Sequence, residues 1–270
     1  MSSAPTIASG ASAISRRLRR FKVNLPGLAV IVACIAVWEL YSRTVGAHFT
    51  SIASASQTFL ALKGLLTDGP LLTQFQHTLI VSLIGWVVAS TLGFAMGLAI
   101  GVWRPVWTYT MASIDVLRSI PSISFVPIAL LIFGFSFQTE LVIVIYVSQW
   151  PVLLGTMGGI RATPVGLLEM ARSYRLSRAA TIFKVILPAA LPSIIVSLRL
   201  SLTLSISLAV VAEMVGNPAG LGFGIVFSQQ AVQPAQAFAY LTVIGLLGWA
   251  MNSVFVAVAR RMFRGHGPIV

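Results

Sequence analysis

Acidic side chains are scarce in this chain. Six Asp and Glu stand against 18 Lys and Arg, and the formal net charge is +12. Cysteine is almost missing as well. Cys34 is the single one and sits in an apolar run, so an intrachain disulfide is excluded. The three histidines, His48, His77 and His266, are scattered and show no metal-ligand spacing. Six acids and dispersed histidines supply no clustered nucleophile, base or metal site, which argues against an integral-membrane enzyme. The chain has no Gly-x-x-x-x-Gly-Lys-Ser/Thr run, so it lacks the backbone cradle and lysine that bind nucleotide phosphates. Period-2 alternation is absent too, and with it the signature of an outer-membrane barrel.

What is present is apolar. Hydrophobic residues make up 57% of the chain and charged residues 9%, with a mean hydropathy of +0.93. A soluble domain cannot hide that much apolar surface, so lipid must serve as solvent, and the spans must be helices that satisfy their own backbone. Six spans are expected: Leu25 to Val45, Thr73 to Trp103, Val106 to Phe135 with interruptions at Pro121 and Pro127, Leu141 to Ile160, Pro188 to Val215, and Phe238 to Met262. The first follows a basic run, Arg16 to Arg20, but no convincing cleavage site follows it, so it reads as an uncleaved helix behind a Ser/Ala-rich tail. Ser54 to Leu66 reads as a helix lying near the interface, and Gly216 to Pro234 as an external or re-entrant loop.

The basic residues occupy the gaps between spans. With six spans, the N-terminal arginines with Lys22, Arg104, the group Arg161, Arg172, Arg175, Arg178 and Lys184, and the C-terminal Arg260, Arg261 and Arg264 fall on one side, which should be cytoplasmic. The other side keeps Arg43 and Lys63. This placement accounts for the positive charge without nucleic acid.

Within the second span Gly85, Ala89, Gly93, Gly97 and Gly101 recur every four residues. That stripe lets another helix approach closely, either within the chain or across a homodimer seam. Asp115 and Arg118 are three apart and can pair on a helix, while Arg118 can also satisfy the carbonyl that Pro121 frees. Arg118 and Arg199 either clamp helices or favour anions along a translocation path. Glu213 either faces a gate or docking surface, or caps the Gly216 to Gly222 loop. Glu39 is paired or snorkels.

The segment Thr163 to Pro192 is the densest in signals. Thr163 can cap a helix opening at Pro164, and Leu167, Leu168 and Ala171 then share a face with Glu169 and Arg172 beside it. A second short helix can start at Ser177 and run into the fifth span. This helix–turn–helix resembles the cytoplasmic "EAA" loop of permease subunits of bacterial ATP-binding-cassette (ABC) importers. The resemblance rests on Glu169-Met170-Ala171, Ser177, Phe183 and Leu187-Pro188-Ala189-Ala190-Leu191-Pro192. More of the chain is similar to the nitrate/sulfonate/taurine branch. Asp115 to Pro121, Phe125-Val126-Pro127, Ile132-Phe133-Gly134, Arg199, Ala212-Glu213-Met214 and Gly220-Leu221-Gly222 carry that similarity, over about Thr73 to Met262. Two positions depart from it. Arg175 stands where the family usually has Gly, which implies a strained left-handed residue or a different turn, and Asn252 stands where relatives often have Asp.

The resemblance implies an all-α integral-membrane fold of about six transmembrane helices, the type I ABC importer (MetI-like) transmembrane domain. Residues 1–24 would be a cytoplasmic tail, 25–262 the permease domain with a coupling loop at 163–187, and 263–270 a second cytoplasmic tail. Leu167, Leu168, Glu169, Ala171, Arg172, Arg175 and Ser177 would couple to the ATPase. The implied assembly is a homodimer in the bacterial inner membrane, with two ABC ATPase subunits and an extracytoplasmic solute-binding protein. ATP and Mg would sit on the ATPases and no cofactor on this chain. Relatives import small anions or organic acids such as nitrate, sulfonates, taurine and bicarbonate. The rival reading is a gradient-driven transporter or channel that works without an ATPase.

Overall fold

A computed structural model describes residues 25–46, 51–67 and 69–262. The basic N-terminal run, His48, Arg264, His266 and both expected tails lie outside the described residues. No strand occurs among the described ones. Five helices are long and apolar enough to cross a membrane, and a bent pair of helices makes a sixth span if counted as one.

The described residues form two compact units, one up to Ala55 and one from Ser56 onward. The first contains α1 (Leu25–Thr44), uniformly apolar apart from its last two turns. There Arg43 and Glu39, four apart, pair at 2.6 Å, so Glu39 is partnered. Trp38 donates its indole N–H to the Ala53 carbonyl at 3.1 Å.

The second unit contains α2 (Ala55–Thr67), α3 (Leu71–Val102), α4 (Arg104–Ser119), α5 (Phe125–Phe133), α6 (Phe137–Arg161), α7 (Val165–Ser173), α8 (Arg178–Thr181), α9 (Leu187–Gly216), α10 (Gly220–Gln230) and α11 (Pro234–Met262). At its centre α6 packs against α3 on one side and α9 on the other. Small residues make both seams. All five members of the α3 stripe are buried. A Cβ on Gly93 would lie 2.5 Å from the Gln149 carbonyl, and one on Gly97 2.6 Å from that of Leu153. The stripe therefore serves packing within the chain. On its other face α6 offers Gly155 and Gly159 to Ser193 and Ser197 of α9, and the Ser193 hydroxyl donates to the Gly155 carbonyl at 2.8 Å. In lipid, where apolar burial does not drive helices together, such close approach and hydrogen bonding hold them.

The third expected span breaks once, not twice. A 75° bend separates α4 from Ser122–Phe133, at Ile120 and Pro121, both extended. Pro127 falls in the first turn of α5, where a missing N–H costs no helix bond. Asp115 and Arg118 pair at 2.9 Å as the spacing suggested. The freed carbonyl is met otherwise: the Tyr146 hydroxyl of α6 donates to Leu117 O at 2.9 Å. Gly216 to Pro234 is likewise not a loop. Most of it is α10, packed on α3, α9 and α11.

The fifth span is longer than expected. Arg178 to Gly216 runs as one helix of 39 residues, with a π-helical turn at Ile182–Ile186. Pro188 has no N–H to give, and Leu187 reaches back to the Ile182 carbonyl, five residues behind. The wider turn absorbs the proline without breaking the helix.

Candidate coupling elbow and membrane cavity

The link between α6 and α9 folds as the sequence suggested, with one exception at its start. α7 opens at Val165 behind Pro164 and has no side-chain cap. Thr163 does not serve as one; its Oγ1 is buried without a partner. The helix ends in a Schellman turn: Arg175 N–H donates to Arg172 O at 2.9 Å, and Leu176 N–H to Ala171 O at 3.0 Å. Arg175 occupies the left-handed position with φ 51°, so of the two alternatives at this departure the strained one holds. Ser177 then caps α8, its Oγ accepting from Ala180 N–H at 3.2 Å.

The elbow's two faces differ. Ala171 is buried and Leu167 and Leu168 are half-buried, on the face that packs back against the π-turn. Glu169, Met170, Arg172, Tyr174, Arg175 and Ser177 are exposed. The Arg161 guanidinium, at the end of α6, lies 4.1 Å over the Trp107 ring and ties that helix end to α4.

Between α4, α6 and α9 lies a cavity of about 760 Å³. Its lining is mostly apolar, with Ser122, Ser193, Ser197, Trp150 and Arg118 as polar exceptions. Arg118 gives its Nε to Asp115. Arg199 and Glu213 are not among the lining residues. Arg199 instead donates to Asn252 Oδ1 of α11 at 2.8 Å, so its partner is an amide rather than an acid.

Glu213 is 1% exposed and helps to cap α10 from a distance. Its Oε2 accepts from Gly222 N–H at 2.9 Å and from the Thr78 hydroxyl at 3.0 Å. Leu221 N–H donates to the same Thr78 oxygen at 2.9 Å. Two orphan amides of a helix N-terminus thus find partners on α3 and α9, and the helix dipole favours the carboxylate. Gly220 has φ 91°, and a Cβ there would collide with the Glu213 carboxylate. The Gly220-Leu221-Gly222 motif is the price of that approach. Beside it, His77 Nε2 lies 2.7 Å from Glu140 Oε2, and Asn217 donates to Glu140 Oε1 at 2.7 Å. Sequence spacing gave no hint of His77, Glu140 or Asn217, which are 63 and 77 residues from their partners. The one available signal was Glu140 itself, an ionisable residue next to an apolar run.

Residues 89–265 match the family described as the binding-protein-dependent transport system inner membrane component. This chain belongs to that family. It is the permease of an ABC importer: a multi-pass inner-membrane transport subunit whose ATPase is a separate subunit. The permease is 27% identical over 240 residues to the aliphatic sulfonates transport permease SsuC of Bacillus subtilis, covering 89% of this chain and 87% of that protein. It is 25% identical to the nitrate import permease NrtB of Leptolyngbya laminosa, over 92% and 90% of the two chains. With the bicarbonate transport system permease CmpB of Synechococcus elongatus it shares 29% over 187 residues, 64% and 66% of the two chains. Its fold is similar to that of the MetNI methionine ABC transporter, with a TM-score of 0.56 at 19% identity over 76% of this chain and 99% of the other. An amino acid ABC transporter gives 0.57 at 21%, over 75% and 97%.

Proposed function

We propose that this permease imports a small anion or organic acid, of the class formed by sulfonates, nitrate and bicarbonate, and that the exposed face of α7 receives the ATPase. One observation carries the coupling reading. The elbow joins the ends of α6 and α9, the two helices at the heart of the unit, and reaches α9 without a loop. A push on Glu169, Met170 and Arg172 therefore moves both walls of the cavity. Glu169 and Arg172 are the docking surface, Leu167, Leu168 and Ala171 hold the elbow to its own chain, and Arg175 and Ser177 fix the turn between its helices.

The assembly is a homodimer with two ATPases and an extracytoplasmic binding protein, in the bacterial cytoplasmic membrane. Both termini and the elbow face the cytoplasm, as the positive-inside rule requires. ATP and Mg bind the partner. Residues 25–262 form the permease body and 163–187 its coupling loop. Alternating access follows from closure of the ATPases moving the two elbows together. Arg118 is the one charged residue lining the cavity and favours an anion there. Arg199 works as a clamp between α9 and α11, and Glu213 as a cap for α10.

The test is reconstitution in vesicles with its ATPase and binding protein. Uptake that needs ATP and all three components, and that falls in Arg118→Gln, is the expected outcome. Uptake by the permease alone, driven by an ion gradient, would overturn the proposal.

A further inference from the structure

At the end of the bundle away from the elbow, α3, α6 and α9 bring His77, Glu140 and Glu213 together. One ligating atom from each lies within 4.8 Å of the others. Glu140 is fully buried and Glu213 nearly so. Among the described residues neither carboxylate forms an ion pair with Lys or Arg, and His77 is the sole partner that can carry positive charge. Even a protonated His77 balances only one of two buried carboxylates, and isolated buried charge is costly. Three of the four carboxylate oxygens have partners. The fourth, Glu213 Oε1, is buried with none.

We propose that this cluster binds one divalent transition-metal cation of the zinc class, through His77 Nε2, Glu140 Oε2 and Glu213 Oε1. Imidazole and carboxylate together suit such an ion. Ligand atoms around a tetrahedral zinc lie about 3.3 Å apart, from metal–ligand distances near 2.0–2.1 Å. The 2.7 Å contact between His77 and Glu140 therefore opens slightly, the longer separations close, and the histidine gives up its shared proton. The surrounding contacts already do what outer partners of a metal site do. Asn217 holds the other oxygen of Glu140, and Thr78 with Gly222 N–H hold the other oxygen of Glu213. The His77 ring meets Phe137 edge-on at 6.0 Å, which fixes its plane. Its side chain is 22% exposed, so an ion enters past it and a water completes the shell. The ion would neutralise the buried acids and tie together three helices that belong to distant parts of the sequence. This site is independent of what crosses the cavity.

The experiment uses the permease purified with its ATPase, stripped with a chelator, dialysed against zinc and analysed by elemental mass spectrometry. Wild type should hold one zinc per permease chain, and its thermal midpoint should rise with zinc concentration, as binding to the folded state requires. His77→Ala, at the partly exposed ligand, and Glu213→Gln, which keeps the side chain's shape, should each lose the ion and the midpoint shift while still eluting as folded complex. Cobalt in place of zinc should give a visible absorption band that both variants lack. A wild-type complex that holds no zinc above background, or variants that retain the same zinc as wild type, would overturn the proposal and leave a proton shared between the carboxylates.

Discussion

The two ends of the α6–α9 pair are built on opposite plans. At the elbow the polar groups point outward: Glu169, Arg172 and Arg175 are exposed, and the chain's own apolar residues hold the two short helices in place. At the far end they point inward: Glu140, Glu213 and Thr78 are buried and engage helices far away in sequence. Exposed charge contributes little to folding but presents a surface to a partner. Buried charge must be matched, and once matched it fixes which helices sit together. In the proposed reading one end receives the push of the ATPase and the other holds while it arrives.

Substitutions can test that contrast. The largest effect on stability should come from Gly220→Val at the holding end. It combines left-handed strain with a clash against Glu213, and should cost at least about 3 kcal/mol, seen as loss of the monodisperse complex in detergent. Glu169→Lys at the pushed end should do the reverse. ATPase copurification should fall at least tenfold, roughly 1.4 kcal/mol of binding, with no change in the permease's thermal midpoint. If that midpoint moves and copurification does not, the division between the ends is wrong. Thr78→Val removes a cap from Leu221 and a donor from Glu213. It should destabilise by about 1–3 kcal/mol while the folded fraction still binds ATPase normally. Arg175→Gly should have the smallest effect. Relief of about 1–2 kcal/mol of left-handed strain is offset by the roughly 0.4–1 kcal/mol by which glycine loosens the unfolded chain. A slightly higher midpoint with coupling intact is expected; lost ATP-driven uptake would show that the Arg175 side chain touches the partner.

The same contrast explains how much was legible in the sequence. The elbow is one contiguous stretch, so its apolar face and the start of a second helix at Ser177 could be read from neighbours a few positions apart; Arg175 stood open between strain and a different turn, and the expected Thr163 cap did not form. Spans were legible from hydropathy, and the α3 stripe from its period of four. The far end is assembled from residues on α3, α6, α9 and the start of α10, and no local spacing announces it. His77 read as one of three stray histidines because its partner Glu140 comes 63 positions later. Pro127 read as a break because proline alone does not tell whether it falls inside a helix or in its first turn. The segment after Gly216 read as a loop because its Gly and Pro content hides a helix whose cap is supplied by Thr78 and Glu213.

The π-turn at Ile182–Ile186 sets the azimuth of the elbow. Each residue of an α-helix turns the chain by about 100°, so removing one residue there and restoring ordinary winding would leave every apolar stretch intact yet aim Glu169 at a different quadrant. A single surplus residue thus stores the bearing of the elbow, and if that elbow is the proposed drive shaft, a deletion no hydropathy plot would notice should disengage the motor.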